Sequence, residues 1–521
     1  MPNRPRRSSL RTRMTALAAL ALVALPATAS ASVSGTVYED FNGNGARDTA
    51  SGAAVDTGVG GVSVRATSGD RVWGPVTTSA SGAWTLPIPA RVTARVEVTP
   101  PSGWWPARAT TAGSAPVTFF TTAPTPSIET GIQVPGRHCS DNPLIGTPCF
   151  VIGPSEGSSS DSKVQQLADD PALVAVPYDT ADGAEAATAP GKQVLATWGQ
   201  IGSTYGIATN PASGDYYAGA YIKRHTGLKE GTGTIFRVPR TAGGWGTPAL
   251  WATVPDTGSD PHTNSSAFNE WIFDSVEAFD AVGKVGLGDV DISPLGNELY
   301  AVNLNTRSLH VVSTADAAVS AGIPVPAPAD YPADDWRPFG LGVNPDTGMV
   351  YVGGVVSGES TVGSSGPPFG DRDGLALAVF RFDPQTRTFD PTPVLLHRDL
   401  GFGRKCARLS ENTSAHDITN DPFSCVGEND ARWNPWIGAE QFNDIRHSTY
   451  PQPMLTDISF QDGQMILGLR DRIGDQLGNA AYGPQRFSHG DTELYQGQPA
   501  GALYRAFPAG DGTFALEDDA A

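Results

Sequence analysis

A strand–turn–strand unit that recurs four times from residue 206 onward constrains the fold of this chain more than any other feature. In each copy an apolar run leads into a turn containing proline or glycine, and a second apolar run follows. The copies are Gly206–Gly219, Asp289–Val302, Gly340–Gly353 and a weaker one at Leu455–Gly468. Short apolar runs between turn residues are typical of buried β-strands. The unit therefore predicts a recurring β-hairpin.

A further strand-like run follows each copy. These runs are Ile235–Val238, Leu309–Val312, Val379–Phe382 and Leu503–Ala506. Successive strands in this order, repeated at spacings of tens of residues, are typical of blades around a propeller axis. The repeats resemble those of bacterial β-propellers, although they lack WD and Kelch signatures, and an unrelated series of hairpins is the alternative. After the last copy and its further run, only the short strand-like segment Thr513–Leu516 follows. We therefore expect a propeller whose closing blade is missing, in a chain that stops before its natural end.

The composition agrees with an all-β protein of more than one domain. The 521 residues include 60 glycines and 43 prolines, and turn dipeptides separate short apolar runs. We predict a small Ig-like β-sandwich followed by a multi-bladed β-propeller. The predicted segments are a signal peptide at 1–31, the sandwich at 32–134, a disulfide loop and linker at 135–163, and the propeller at 164–521.

A calcium-type loop follows the first predicted strand of the sandwich, Val33–Tyr38. Oxygen-bearing side chains recur there at the spacing by which a tightly wound loop directs alternate residues inward. The ligand candidates are Asp40, Asn42, Asn44 and Asp48, with Asp56 as a further carboxylate. Ca²⁺ takes six to eight such oxygens. The sequence therefore predicts a structural Ca²⁺ site, and a metal-free turn rich in asparagine and glycine is the alternative.

The ordered motifs GTVYEDFNGNGARD, DTGVGGVSV, TTSASGAWTL and VEVTPPSGW resemble a known surface module. They are similar to the SdrD B-like, Cna-B-related β-sandwich of bacterial surface proteins. The resemblance implies an immunoglobulin-like stalk with structural calcium, held by Asp40, Asn42, Asn44 and Asp48. The chain departs from the family pattern at Asp56, where glutamate is common, and in a longer loop before that residue.

The first 31 residues have the order of a secretory signal. Five arginines precede an apolar run from Met14 to Leu25, and the small residues Ala29–Ala31 follow. That run is shorter than the roughly 20 residues of a spanning helix, so we expect cleavage after Ala31 rather than a membrane anchor. The sequence predicts a secreted or extracellular protein, attached to the cell surface or released, with no transmembrane span apart from the cleaved signal.

Four cysteines fit an oxidising compartment. They form two close pairs, Cys139 with Cys149 and Cys406 with Cys425. An even number of cysteines in an exported chain favours disulfides. Three connectivities are possible, of which the local one closes the shortest loops. Zinc is the alternative, but neither pair has the spacing of a structural zinc site.

The net charge restricts the class of partner that the chain can bind. The formal net charge of −19 argues against nucleic acid, whose phosphates require lysine and arginine.

Three carboxylates suggest a binding site near the propeller channel. The predicted innermost strands contain Asp289, Asp291 and Asp457. These side chains could meet near the channel and bind a cation or a polar ligand, or they could simply be solvated.

No recognisable catalytic motif stands out in the sequence. The sequence therefore favours a secreted or cell-surface adhesion or scaffold protein that binds an unknown protein or carbohydrate ligand. A secreted propeller hydrolase or lyase acting on a glycan or another polymer is the alternative.

Overall fold

The computed structural model of the protein describes most of the chain from residue 31 onward. The described residues are 31–41, 45–49, 56–107, 114–134, 143–155, 167–178, 192–211, 213–241, 244–262, 271, 276–345, 347–363, 370–400, 432–445, 450–461, 463–484, 494–497 and 499–517. The predicted signal peptide lies outside these residues except for Ala31.

The first unit is a β-sandwich whose described residues form eight strands. They are β1 (Val33–Glu39), β2 (Ser63–Ser68), β3 (Arg71–Thr77), β4 (Ala83–Leu86), β5 (Thr93–Thr99), β6 (Trp105–Pro106), β7 (Thr118–Thr122) and β8 (Thr125–Gln133). They form two four-stranded sheets, ordered β4-β1-β8-β6 and β3-β2-β5-β7. Strand β1 pairs with β8 in parallel, and the other neighbours are antiparallel.

Alternating side chains of the two sheets form the sandwich core. Val33 and Val37 of β1 and Val64 of β2 are fully buried, whereas Arg65 lies on the exposed side of β2. This period of two is what a sheet with one solvated face requires. The predicted sandwich is confirmed.

The second unit contains a series of antiparallel sheets. The first has three strands, β9 (Leu144–Pro148), β10 (Pro171–Pro177) and β11 (Gln193–Thr197). The next is β12 (Thr204–Thr209), β13 (Tyr216–Ala220), β14 (Thr234–Val238) and β17 (Ala249–Thr253), beside the small hairpin of β15 (Arg240–Thr241) and β16 (Gly244–Trp245). Then come β18 (Leu287–Ile292), β19 (Glu298–Asn303), β20 (Ser308–Ser313) and β21 (Ile323–Pro324).

The last two large sheets complete this series. One contains β22 (Trp336–Val343), β23 (Val350–Val356), β24 (Ala376–Asp383), β25 (Thr388–Phe389) and β26 (Leu395–His397). The other contains β27 (Pro453–Gln461), β28 (Gln464–Asp471), β31 (Ala502–Pro508) and β32 (Phe514–Leu516), and the small hairpin of β29 (Asn479–Tyr482) and β30 (Leu494–Gln496) lies between β28 and β31 in the chain.

The four large sheets are propeller blades. We number them one to four in chain order, beginning with β12, β18, β22 and β27. These innermost strands lie side by side in that order, and β9 lies beside β12. Each predicted repeat is the inner hairpin of one blade, and each further predicted run is the blade's third strand. The propeller-like fold predicted from the repeats is confirmed.

The blade turns follow from the residues at their corners. In blade one the side chain of Asn210 accepts a hydrogen bond from Ser213 N at 3.2 Å, and in blade three Asn344 accepts one from Thr347 N at 3.1 Å. Asparagine side chains stabilise turns in this way by closing on the backbone ahead of them. The Asn-Pro pairs of the sequence are therefore local signals for these hairpins.

Within the described residues, four short α-helices lie between the strands. They are α1 (Trp198–Ile201), α2 (Val276–Ala281), α3 (Ala439–Ile445) and α4 (Ile473–Leu477), and three 3₁₀ turns cover Ala333–Asp335, Glu359–Thr361 and Arg372–Gly374. No helix in the described part of the chain is both long and apolar enough to cross a membrane.

Strand β9 lies inside the segment that the sequence predicted to be a disulfide loop and linker. Its residues Leu144–Pro148 pair antiparallel with β10, from Leu144↔Pro177 to Pro148↔Leu173. The small polar residues of the predicted linker begin only after this strand. The second unit therefore has a sheet before the four predicted hairpins.

Candidate functional site

Three of the five predicted calcium ligands are within the described residues. Asp40 is buried, and its Oδ2 accepts a hydrogen bond from Gly45 N at 2.9 Å. Asp56 is also buried, and its two oxygens accept from Phe41 N at 3.0 Å and Asp48 N at 2.9 Å. Asp56 thus binds the backbone at two positions of the loop. Burial raises the pKa of its carboxyl to about 6.

The remaining loop ligands, Asn42 and Asn44, lie outside the described residues. Within the described part of the chain, no group of three or more histidine, cysteine, aspartate or glutamate residues is placed to hold a metal ion. The calcium site therefore stays a prediction that depends on the asparagine side chains.

Of the four cysteines predicted to form disulfides, one lies within the described residues. Cys149 is half-buried just after β9, and burial raises the pKa of its thiol. Cys139, Cys406 and Cys425 lie outside the described residues. The disulfide pairing stays a prediction.

Two of the predicted channel carboxylates join neighbouring blades. Asp289 Oδ2 accepts a hydrogen bond from Leu341 N at 3.1 Å, and Asp291 Oδ2 accepts one from Val343 N at 2.9 Å. Both acceptors are on β18 and both donors are on β22, so the side chains satisfy backbone groups at the free edge of the third blade. Burial raises the pKa of Asp291 to about 7.

A cavity of about 490 Å³ lies at the innermost strands. Its lining comes from β9, β12, β18, β27, β28 and α4 together with residues just after β9 and β13. The polar and aromatic residues that line it are Thr147, Phe150, Tyr205, Lys223, Asp289, Thr456, Asp457, Arg470 and Asp475. The cavity brings together Asp289 and Asp457 of the predicted set, while Asp291 is not among its lining residues.

Arg470 is the centre of the cationic part of the cavity. Its Nη2 donates to Asp475 Oδ1 at 2.9 Å, and its guanidinium carbon lies 4.6 Å from the centre of the Tyr205 ring. Asp475 Oδ2 also accepts from the Tyr221 hydroxyl at 3.2 Å. Nη1 is buried and has no hydrogen-bond partner among the described residues. The Arg470 side chain as a whole is 35% exposed and lines the cavity, so a ligand there can approach the cation.

Lys223 is a second cation in the same lining. It is buried, and its Nζ donates to Thr204 O at 3.0 Å. Burial lowers the pKa of Lys223 to about 8, against the opposing effect of the Asp475 carboxylate. The ammonium therefore remains mostly charged at neutral pH and keeps N–H groups beyond the one that Thr204 accepts.

The acidic part of the cavity is formed by Asp289 and Asp457. Burial and the negative charges of Asp457 and Asp291 raise the pKa of Asp289 well above its ordinary value. The Asp457 side chain is open to the cavity solvent, but most of its surroundings are protein, and this burial raises its pKa as well. The cavity thus combines two carboxyl groups of raised pKa, which can accept hydrogen bonds, with the two cations Arg470 and Lys223.

Sequence reasoning did not find Tyr205, Lys223, Arg470 or Asp475. The last two belong to the run Arg470–Asp475, which follows an apolar strand without a gap. Charged residues directly at the end of a buried strand were the available signal, but such runs are usually solvated. His262 also lies nearby, since its Nε2 is 3.0 Å from Lys223 O.

Comparisons with known proteins give distant relatives. No family model matches the chain. It is 26% identical over 457 residues to Colossin-D of Dictyostelium discoideum, covering 85% of this chain and 43% of Colossin-D. It is 25% identical over 463 residues to Colossin-C of the same organism, covering 86% of this chain and 41% of Colossin-C. The chain spans less than half the length of these curated relatives.

Solved structures are similar only at a low level. A protein from Lactobacillus plantarum matches with a TM-score of 0.28 and 14% identity, covering 60% of this chain and 55% of that one. TolB from Acinetobacter baumannii matches with a TM-score of 0.24 and 9% identity, covering 74% of this chain and 58% of that one.

Proposed function

We propose that this chain is a secreted or cell-surface adhesion or scaffold protein whose central propeller cavity binds a ligand. The observation that carries the proposal is the cavity itself, where two cations, two weakly acidic carboxyls and aromatic rings converge from several blades. Concave sites with a few convergent polar groups are typical of ligand binding. The signal-like leader and the resemblance of the first unit to SdrD B-like modules support a location outside the cytoplasm.

Binding should depend on the cavity. We expect the full chain to bind members of a panel of glycans and purified extracellular-matrix proteins, and Arg470→Gln to weaken that binding at least tenfold. Arg381→Gln is a matched control, because Arg381 also pairs with a carboxylate, Asp390, at 2.8 Å, but on the third strand of blade three. Binding that survives Arg470→Gln unchanged would place the ligand site elsewhere.

The sandwich is proposed to be stiffened by Ca²⁺ at Asp40, Asn42, Asn44, Asp48 and Asp56. We expect 1 mM Ca²⁺ to raise the melting temperature of the sandwich in the full chain relative to EDTA. Saturation a hundredfold above the dissociation constant corresponds to about 2.7 kcal/mol. Asp40→Asn should abolish most of this difference, because the amide can still accept from Gly45 N but lacks the charge. The measurement is calorimetry with and without EDTA.

Asp70→Asn is the control for the calcium experiment, since Asp70 lies exposed in the turn between β2 and β3. It should melt as the unchanged protein does in both conditions. Equal melting of the unchanged protein in Ca²⁺ and in EDTA would remove the calcium proposal.

A propeller hydrolase or lyase is the second candidate. Asp289 and Asp457 bring two carboxyl groups of raised pKa into one cavity with Lys223, whose pKa is lowered to about 8. Groups shifted in this way can serve as general acids and bases. Shortening of a bound glycan over time, lost in Asp457→Asn, would favour this candidate over binding alone.

A further inference from the structure

We propose that the central cavity recognises a hydroxylated carboxylate, of which a uronic acid unit is the simplest example. The inference deepens the proposed function, because it names the chemical class of ligand for the same cavity. It depends on three properties of the lining, namely the partial exposure of the Arg470 side chain to the cavity, the second cation Lys223, and the acceptors Asp289 and Asp457.

Arg470 supplies the carboxylate-binding group. Its planar guanidinium is held from one side by Asp475 at 2.9 Å and lies over Tyr205 at 4.6 Å. Nη1 itself is buried, but the Arg470 side chain is 35% exposed and lines the cavity, so the guanidinium is within reach of a ligand. A guanidinium fork matches the two oxygens of a carboxylate in geometry and charge. The fixed orientation also means that little conformational freedom is lost when an anion binds.

Lys223 adds a second positive group to the same lining. Asp475 pairs directly with Arg470 and also favours the charged form of Lys223, so this one carboxylate is shared between two cations. Lys223 Nζ contacts a neutral carbonyl, Thr204 O, and lies 5.8 Å from the centre of the Phe150 ring. A ligand carboxylate would therefore compensate a buried ammonium that donates a hydrogen bond to the neutral Thr204 carbonyl.

Asp289 and Asp457 are the groups that would accept hydrogen bonds from hydroxyl groups of the ligand. Each carboxyl oxygen can accept more than one hydrogen bond, so Asp289 can accept from a hydroxyl in addition to Val290 N and Leu341 N. A divalent cation between these two carboxyls would be repelled by Arg470 and Lys223 in the same lining. Hydroxyl donors carry no such charge and suit carboxyls of weak acidity.

The aromatic rings and the size of the cavity agree with a sugar-like ligand. Tyr205 and Phe150 offer apolar ring surfaces against which the C–H face of a pyranose can pack. A volume of about 490 Å³ falls within the range of small-molecule sites. A free hydroxy acid and a unit within an acidic polysaccharide share this chemistry.

The test is calorimetric titration of the full chain with sodium galacturonate, galactose, acetate and trigalacturonate. We expect galacturonate to bind at least tenfold more tightly than galactose, which lacks the carboxylate, and than acetate, which lacks the hydroxyls. Tighter binding of trigalacturonate would indicate a polysaccharide source, and equal binding a free hydroxy acid. Arg470→Gln should remove the preference for galacturonate over galactose, and Arg381→Gln should leave it unchanged.

Arg470→Lys controls for a folding defect, because it keeps the positive charge beside Asp475 but lacks the two-pronged guanidinium. We expect this variant to retain the fold and to bind galacturonate more weakly. Equal affinity for galacturonate and galactose, equal affinity for galacturonate and acetate, absence of heat with all four probes, or loss of binding in EDTA would each overturn the inference. The proposed function fails separately, when Arg470→Gln leaves binding to the glycan and protein panel unchanged.

Discussion

Replacing Arg472 with leucine is expected to lower the free energy of unfolding by about 4 kcal/mol or more, since each buried polar group left unsatisfied costs about 1–3 kcal/mol. Arg472 is fully buried. Its guanidinium donates to Val282 O and Ile437 O, each at 2.8 Å, and to Asp280 O at 3.0 Å. Leucine fills part of the volume but leaves these carbonyls without donors. Chemical denaturation of the full chain measures the loss.

The position of these carbonyls explains why arginine is required. Helix α2 ends at Ala281, and the last carbonyls of a helix have no partner within it. Arg472 donates to three carbonyls at that end, those of Phe279, Asp280 and Val282. Its guanidinium carbon also lies 4.6 Å from the Trp436 ring centre. Burial lowers the pKa of Arg472 to about 10, so the group stays charged at neutral pH.

Two variants make the Arg472 prediction specific. Arg472→Lys keeps the charge but cannot reach several carbonyls at once, so we expect an intermediate loss. Arg505→Leu removes an exposed arginine from β31 and should change stability by no more than about 0.5 kcal/mol. A denaturation midpoint for Arg472→Leu equal to that of Arg505→Leu would contradict the prediction.

The same residue illustrates what the sequence could and could not predict. Strand periodicity and Asn-Pro turns are local, and the hairpins that begin at Gly206 and Gly340 were therefore predictable. Arg472 contacts Val282 across 190 positions of the chain, and no local pattern encodes such a contact. The charged run around it would normally be solvated, so its burial depends on how blade four packs against α2.

The candidate site was predictable only in part for the same reason. Asp289 and Asp457 were found because carboxylates are unusual on strands predicted to be innermost. Lys223 and Arg470 come from different blades, and only the fold brings them into one cavity. Strand β9 was missed because its run is short and contains Gly146 and Pro148, which local reasoning assigns to loops.

Replacing Gly342 with alanine should also destabilise the propeller, by about 1–3 kcal/mol as for other overpacked sites. Gly342 is on β22, and a Cβ there would lie 2.2 Å from Ile458 O and 2.8 Å from Ile458 Cβ on the neighbouring innermost strand. Backbone oxygen cannot rotate away as a side chain can, so blades three and four would have to separate. Chemical denaturation measures the change.

Gly231→Ala is the matched control, because a Cβ at Gly231 would meet no atom within 4 Å and its φ is not positive. It should be neutral or stabilising by up to about 1 kcal/mol, since alanine restricts the unfolded chain. Equal midpoints for Gly342→Ala and Gly231→Ala would mean that β22 and β27 are not in close contact. Close contact is what places Asp457 at the cavity, so a difference between these two alanines tests the geometry on which the binding proposals depend.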